Sequence, residues 1–145
     1  MRKALVAVVL CGTVVSNSVS TLAHHSFAAE FNADKPVTLR GTVTRMDWIN
    51  PHAWIYLNVK DASGKMVEWA VETAPPNSLI RRGFRKTSLK PGTELVINGF
   101  KARNGSTTAN GYNLTLPDGQ TLFLGSSGTG APDTFPQKSG AAPRR

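Results

Sequence analysis

Thiol chemistry has almost no foothold in this sequence. Of 145 residues one is cysteine, Cys11, so no disulfide can form within the chain and no thiolate cluster can bind zinc. Histidine is scarce as well, with only His24, His25 and His52. Acidic residues number nine, and the spacing of Glu30, Asp34, Asp47, Glu68, Glu72 and Glu94 pairs none of them for acid–base work. Ser26, Ser63, Ser78 and Ser88 stand in no nucleophile-elbow context. These absences remove the common hydrolase and thiol-enzyme readings, and nothing in the chain compels an enzyme.

Long apolar runs are also missing. The one candidate, Ala4 to Val15, follows Arg2 and Lys3, is broken by Ser16, Asn17 and Ser18, and falls short of the ~20 residues of a bilayer span. A basic start, a short apolar segment and the small-residue site Thr21-Leu22-Ala23 read as a secretory signal peptide cut after Ala23. Lipid attachment at Cys11 is disfavoured by Leu10, which stands where a small residue is wanted. The expected product is a periplasmic or secreted chain of 122 residues with no cysteine and no transmembrane segment, its amino terminus at His24.

Charge has one prevailing sign. Loss of Arg2 and Lys3 leaves 15 of the 17 basic residues against nine acidic ones, a surplus that favours anionic surfaces such as lipid headgroups or anionic polymers. Export argues against nucleic acid as the normal partner. The densest cluster is Arg81, Arg82, Arg85 and Lys86, around an expected short helix; a solvated face is the plain alternative.

What is present is mainly β pattern. Val37, Leu39, Gly41 and Val43 alternate with polar residues, Ile55, Leu57 and Val59 alternate with Trp54 and Tyr56, and Val67, Trp69 and Val71 alternate with Glu68 and Glu72. On that parity Glu68 and Glu72 are expected on the solvent side. Asp61 to Lys65 forms a hairpin turn with Gly64 available for a left-handed conformation. Pro75-Pro76 stops the third strand, Asn77 is the expected cap of a short helix that Gly83 ends, and a fourth strand runs from Glu94 to Ala102. Leu114 and Leu116 lead to the Pro117-Asp118-Gly119 turn, and Thr121 to Leu124 closes the domain. Three strands, a short helix and further strands predict an all-β fold, a small Greek-key barrel of the oligonucleotide/oligosaccharide-binding (OB) type, with an open sandwich as the competitor. The expected organisation is a signal peptide over 1–23, an N-terminal arm over 24–36, the barrel over 37–125 and a disordered tail rich in glycine and proline over 126–145.

The three histidines concentrate what chemistry there is. After cleavage His24 offers an amine and an imidazole from one residue, and with His25 and the remote His52 it can supply the three nitrogens of a histidine brace, a tetragonal set that suits copper(II). Zinc or nickel can use the same ligands. The structural alternatives are a polar, frayed chain start for His24-His25 and a strand-end hydrogen bond for His52. Trp54 and Tyr56, on the face opposite the apolar one, can stack on bases or sugars if exposed, or form a second small core if covered.

The segments His24 to Phe31, Gly41-Thr42-Val43, Trp48 to Tyr56 with its Asn50-Pro51-His52-Ala53 centre, Asn77 to Gly83 and Leu89 to Gly92 resemble a family of small exported proteobacterial proteins of unknown function. That resemblance implies export and marks the histidine start and the Asn-Pro-His segment as family signatures, without a ligand or an activity. Two readings stand side by side. One is a metal-binding module with copper, or another divalent metal, at His24, His25 and His52. The other is an interaction module that meets an anionic or carbohydrate ligand, or an envelope protein, through Trp54, Tyr56, Arg81 and Arg82. An oxidative copper enzyme in the manner of polysaccharide monooxygenases matches only at the N-terminal histidine, on a chain too short for a broad substrate face.

Overall fold

The computed structural model describes residues 26–125 and 130–136. In chain order these form α1 (Phe27–Glu30), β1 (Phe31–Asp47), β2 (Trp54–Lys60), β3 (Met66–Glu72), α2 (Pro76–Arg81), β4 (Glu94–Ala102), β5 (Thr108–Thr115) and β6 (Thr121–Phe123). β1, β2 and β3 are an antiparallel meander in which Gly41 pairs with Val59 and Leu57 with Trp69. The β2–β3 turn is built as the sequence predicts: one Asp61 carboxylate oxygen accepts from the Ser63 hydroxyl at 2.6 Å and from the Ser63 and Lys65 amides, and Gly64 takes a φ of +87°.

After α2 the chain returns as β4, which lies antiparallel to the first half of β1. β5 then pairs antiparallel with β4 and parallel with the end of β3, through Ala70↔Thr108 and Glu72↔Asn110. That last pairing closes the sheet, and the result is the expected all-β Greek-key barrel with the short helix between its third and fourth strands. β1 serves both neighbours by coiling, and Gly41 lies at the crossing, where a Cβ would collide with the Asn58 carbonyl.

Apolar side chains fill the barrel: Leu39, Val43, Ile55, Leu57, Val71, Leu95, Ile97, Ala109 and Leu114 are all buried, and β5 changes its inward parity between Ala109 and Leu114 where its register with β4 shifts. One end is plugged by the segment between β3 and β4, which sends Leu79, Phe84 and Leu89 inward. A second buried cluster lies outside the barrel, made of Phe27, Phe31, Phe100 and Ala102 with Tyr112 and Phe135 against it.

Several details differ from the sequence-based expectation. β1 starts at Phe31, not at 37, because the arm is anchored by its aromatics: Phe27 stacks edge-on against Phe100 with centroids 5.5 Å apart, and Arg103 ties Glu30 and Ala28 by donating to their carbonyls. α2 begins at Pro76, whose missing N–H costs nothing in a first turn, so Asn77 lies inside the helix and Pro75 takes the cap position. Residues 131–136 pack back onto the domain, with the Tyr112 hydroxyl donating to the Asp133 carbonyl at 2.8 Å and Phe135 on Phe100 at 5.5 Å.

Candidate functional site

Antiparallel pairing decides what His52 meets. β2 and β3 pair with Trp54 opposite Glu72, so the residue two before Trp54 lies diagonal to Glu72 on the same face. The chain before β2 is held there by backbone: the Thr73 amide and hydroxyl both donate to the Ala53 carbonyl, at 2.9 and 3.0 Å, and the Ala74 amide donates to Leu124 at 2.7 Å. His52 Nδ1 consequently stands 2.6 Å from Glu72 Oε1, with the two residues 4% and 5% exposed. Nε2 of the ring is buried too.

Glu72, which strand alternation assigns to the solvent side, is instead buried. The outward parity of β3 is open at Glu68, which bonds Thr44 at 3.2 Å and faces Arg45 at 3.5 Å. At Glu72 the strand has neighbours on both edges, Trp54 and the buried Asn110, and the same face is closed over. Burial pushes the Glu72 carboxyl up to about 7 from its ordinary 4.5, and the negative charge of Glu30 adds to the shift. Glu30 ends α1, so the docked arm brings its charge within electrostatic reach of the buried pair. Nothing in the local pattern distinguishes Glu72 from Glu68; the signal is the parallel β3–β5 pairing, which a single sequence does not display.

The other sequence-predicted residues are dispersed. His24 and His25 lie outside the described residues. Trp54 and Tyr56 are half-buried, and one ring face of Tyr56 is taken by the Arg45 guanidinium, 3.4 Å from the ring centroid. Arg81 is exposed and bonds Ser78 Oγ at 3.0 Å. Arg82 turns the other way: it donates to the Gly125 carbonyl at 2.8 Å and lies 4.8 Å from the Phe123 ring centroid, clamping α2 to the chain after β6.

Among the described residues no three His, Cys, Asp or Glu side chains gather closely enough to hold a metal ion, so a metal site at His52 needs ligands from upstream of Ser26. The pair itself is chemically suited to one. A carboxylate on Nδ1 fixes the ring in the tautomer that carries its proton there, orients it, and raises the basicity of Nε2, which is how metal-binding imidazoles are ordinarily supported. Among the described residues no helix is long and apolar enough to cross a membrane. Residues 10–111 match a family of unknown function, DUF6152, while no curated protein and no solved structure matches the chain.

Proposed function

The chain belongs to that family of unknown function, and from its own residues we propose that it is an exported, periplasmic or secreted, copper-binding module: His24, made amino-terminal by cleavage after Ala23, supplies amine and imidazole, His52 supplies Nε2, and His25 stands by as a further imidazole. One observation carries this reading, the 2.6 Å contact of His52 Nδ1 with a buried carboxylate. The docking of residues 27–31 supports it, since only two residues separate His24 from the buried Phe27 and the arm approaches the Glu72 side of the barrel through Glu30. Three nitrogen donors suit copper(II) better than the other divalent first-row metals, and an α-amine with an ordinary pKa of ~7.7–8.0 gives up its proton to copper at neutral pH. Glu72 in this reading is a positioning residue.

Copper(II) titration tests it. The protein that begins at His24 should bind copper at least ~100-fold more tightly than a form carrying one extra residue ahead of His24, and Glu72→Gln should weaken binding ~10–100-fold. Equal affinity with and without the extra residue overturns the brace. The alternative, a module for an anionic or carbohydrate ligand or an envelope protein at Trp54, Tyr56, Arg81 and Arg82, has less support at two of its four residues, because Arg45 covers Tyr56 and Arg82 is engaged with Gly125.

A further inference from the structure

The plug at one end of the barrel has two chemically different sides. Its inner side is Leu79, Phe84 and Leu89, buried in the core. Its outer side belongs to a stretch, residues 73–93, that holds five cations and no acidic residue. Arg82 is spent on the Gly125 carbonyl, but Arg81, Arg85, Lys86 and Lys90 are exposed, and none of the four has a carboxylate partner among the described residues. Four like charges on one end of a small domain repel one another, which makes that end a site for concentrated negative charge.

Apolar exposure coincides with it. Ile80, on α2 between the buried Leu79 and the exposed Arg81, is 46% exposed. The turn after β1 joins the same end, because Trp48 stacks on Phe84 with centroids 6.3 Å apart, and the residue after it, Ile49, is 53% exposed. These are two of the four large apolar side chains most open to solvent in the described chain. A soluble polyanion would engage the cations and leave both isoleucines in water. A surface that offers anionic headgroups with an acyl boundary just beneath them uses both kinds of side chain at once.

We propose that this end of the barrel, Arg81, Arg85, Lys86 and Lys90 with Ile49 and Ile80, docks the domain on an anionic lipid bilayer. The contact is peripheral and reversible, since two isoleucines make only a shallow apolar insertion and the electrostatic part is screened by salt.

Vesicle co-sedimentation of the full processed chain tests the proposal. Vesicles containing phosphatidylglycerol should bind it at least ~10-fold more tightly than pure phosphatidylcholine vesicles, and binding should fall steeply between ~0.05 and ~0.5 M salt. Charge reversal at Arg81 and Lys86 should abolish binding, while the same reversal at the exposed Lys35 and Lys65 should cost less than ~3-fold; equal losses would mean that net charge alone attracts the protein, and would overturn the site. Replacing Ile49 and Ile80 by Asn should weaken vesicle binding ~10-fold and leave binding to soluble polyphosphate unchanged. Vesicle binding untouched by that double substitution overturns the lipid assignment in favour of a soluble polyanion. Because Ile49 and Ile80 are solvent-exposed, the fold survives their replacement, which unchanged thermal unfolding verifies.

Discussion

A carboxyl group kept out of water is a cost that the domain carries at neutral pH, and Glu72 is that group here. Its pKa is raised from 4.5 to about 7 by burial and by Glu30, so the folded chain holds a proton that the unfolded chain has released across that interval. The stabilising contribution is therefore fully present below about pH 4.5 and is lost as the pH rises through about 7. Measured by urea unfolding from about pH 5 to about pH 8, the wild type should lose at most ~3 kcal/mol relative to Glu72→Gln, whose amide keeps the shape and the acceptor for His52 but does not titrate. Parallel pH profiles for the two proteins would contradict the assignment. The sequence makes His52 legible because histidine is rare and follows Asn50-Pro51. Its partner is hidden because period-two reading assigns Glu68 and Glu72 to one face and cannot say that the face is open at one end and closed at the other.

Strands were the legible elements because their periodicity is enforced residue by residue: β2, β3 and β4 fall within a residue or two of where alternation and turns put them. The ends of elements were less so. Asn77 has the right chemistry for a cap, yet Pro76 is already suited to a first helical turn, and the helix starts two residues earlier than a cap at Asn77 would allow. β1 hides its first six residues because Phe31 to Pro36 lacks alternation and is held by aromatic contacts instead of by a uniform ladder, the β1–β4 register shifting between Phe31 and Pro36. The same strand explains Gly41, where an added methyl group would press into the Asn58 carbonyl and meet Leu57 and Val59 at 3.0 Å. Gly41→Ala should cost about 1–3 kcal/mol in equilibrium unfolding. A variant as stable as the wild type would mean that β1 is not pinned against β2 at this crossing.

For the whole molecule, closure is the property that no local pattern announces. It depends on β3 and β5, whose parallel pairing runs from Ala70↔Thr108 to Glu72↔Asn110, and on Leu124, whose carbonyl holds Ala74. The tail is equally opaque: six of its twenty residues are glycine or proline, yet Phe135 seats against Phe100 and Tyr112. A chain ending at Gly125 should keep the barrel and lose about 1–3 kcal/mol of stability through exposure of that aromatic layer, measurable by urea unfolding with circular dichroism. No loss would show that residues 131–136 contribute nothing to the domain. The arm at the opposite terminus carries a consequence for timing. Ala23 and the buried Phe27 are four residues apart, so if the leader ends at Ala23 the bond to be cut lies within ~14 Å of chain from a side chain locked into the domain. A peptidase that draws its substrate into an extended cleft needs that stretch free. With the leader ending there, cleavage would have to come first and seating of the aromatic pair second, and birth of the new terminus and completion of the outer aromatic layer would be successive steps on one assembly path.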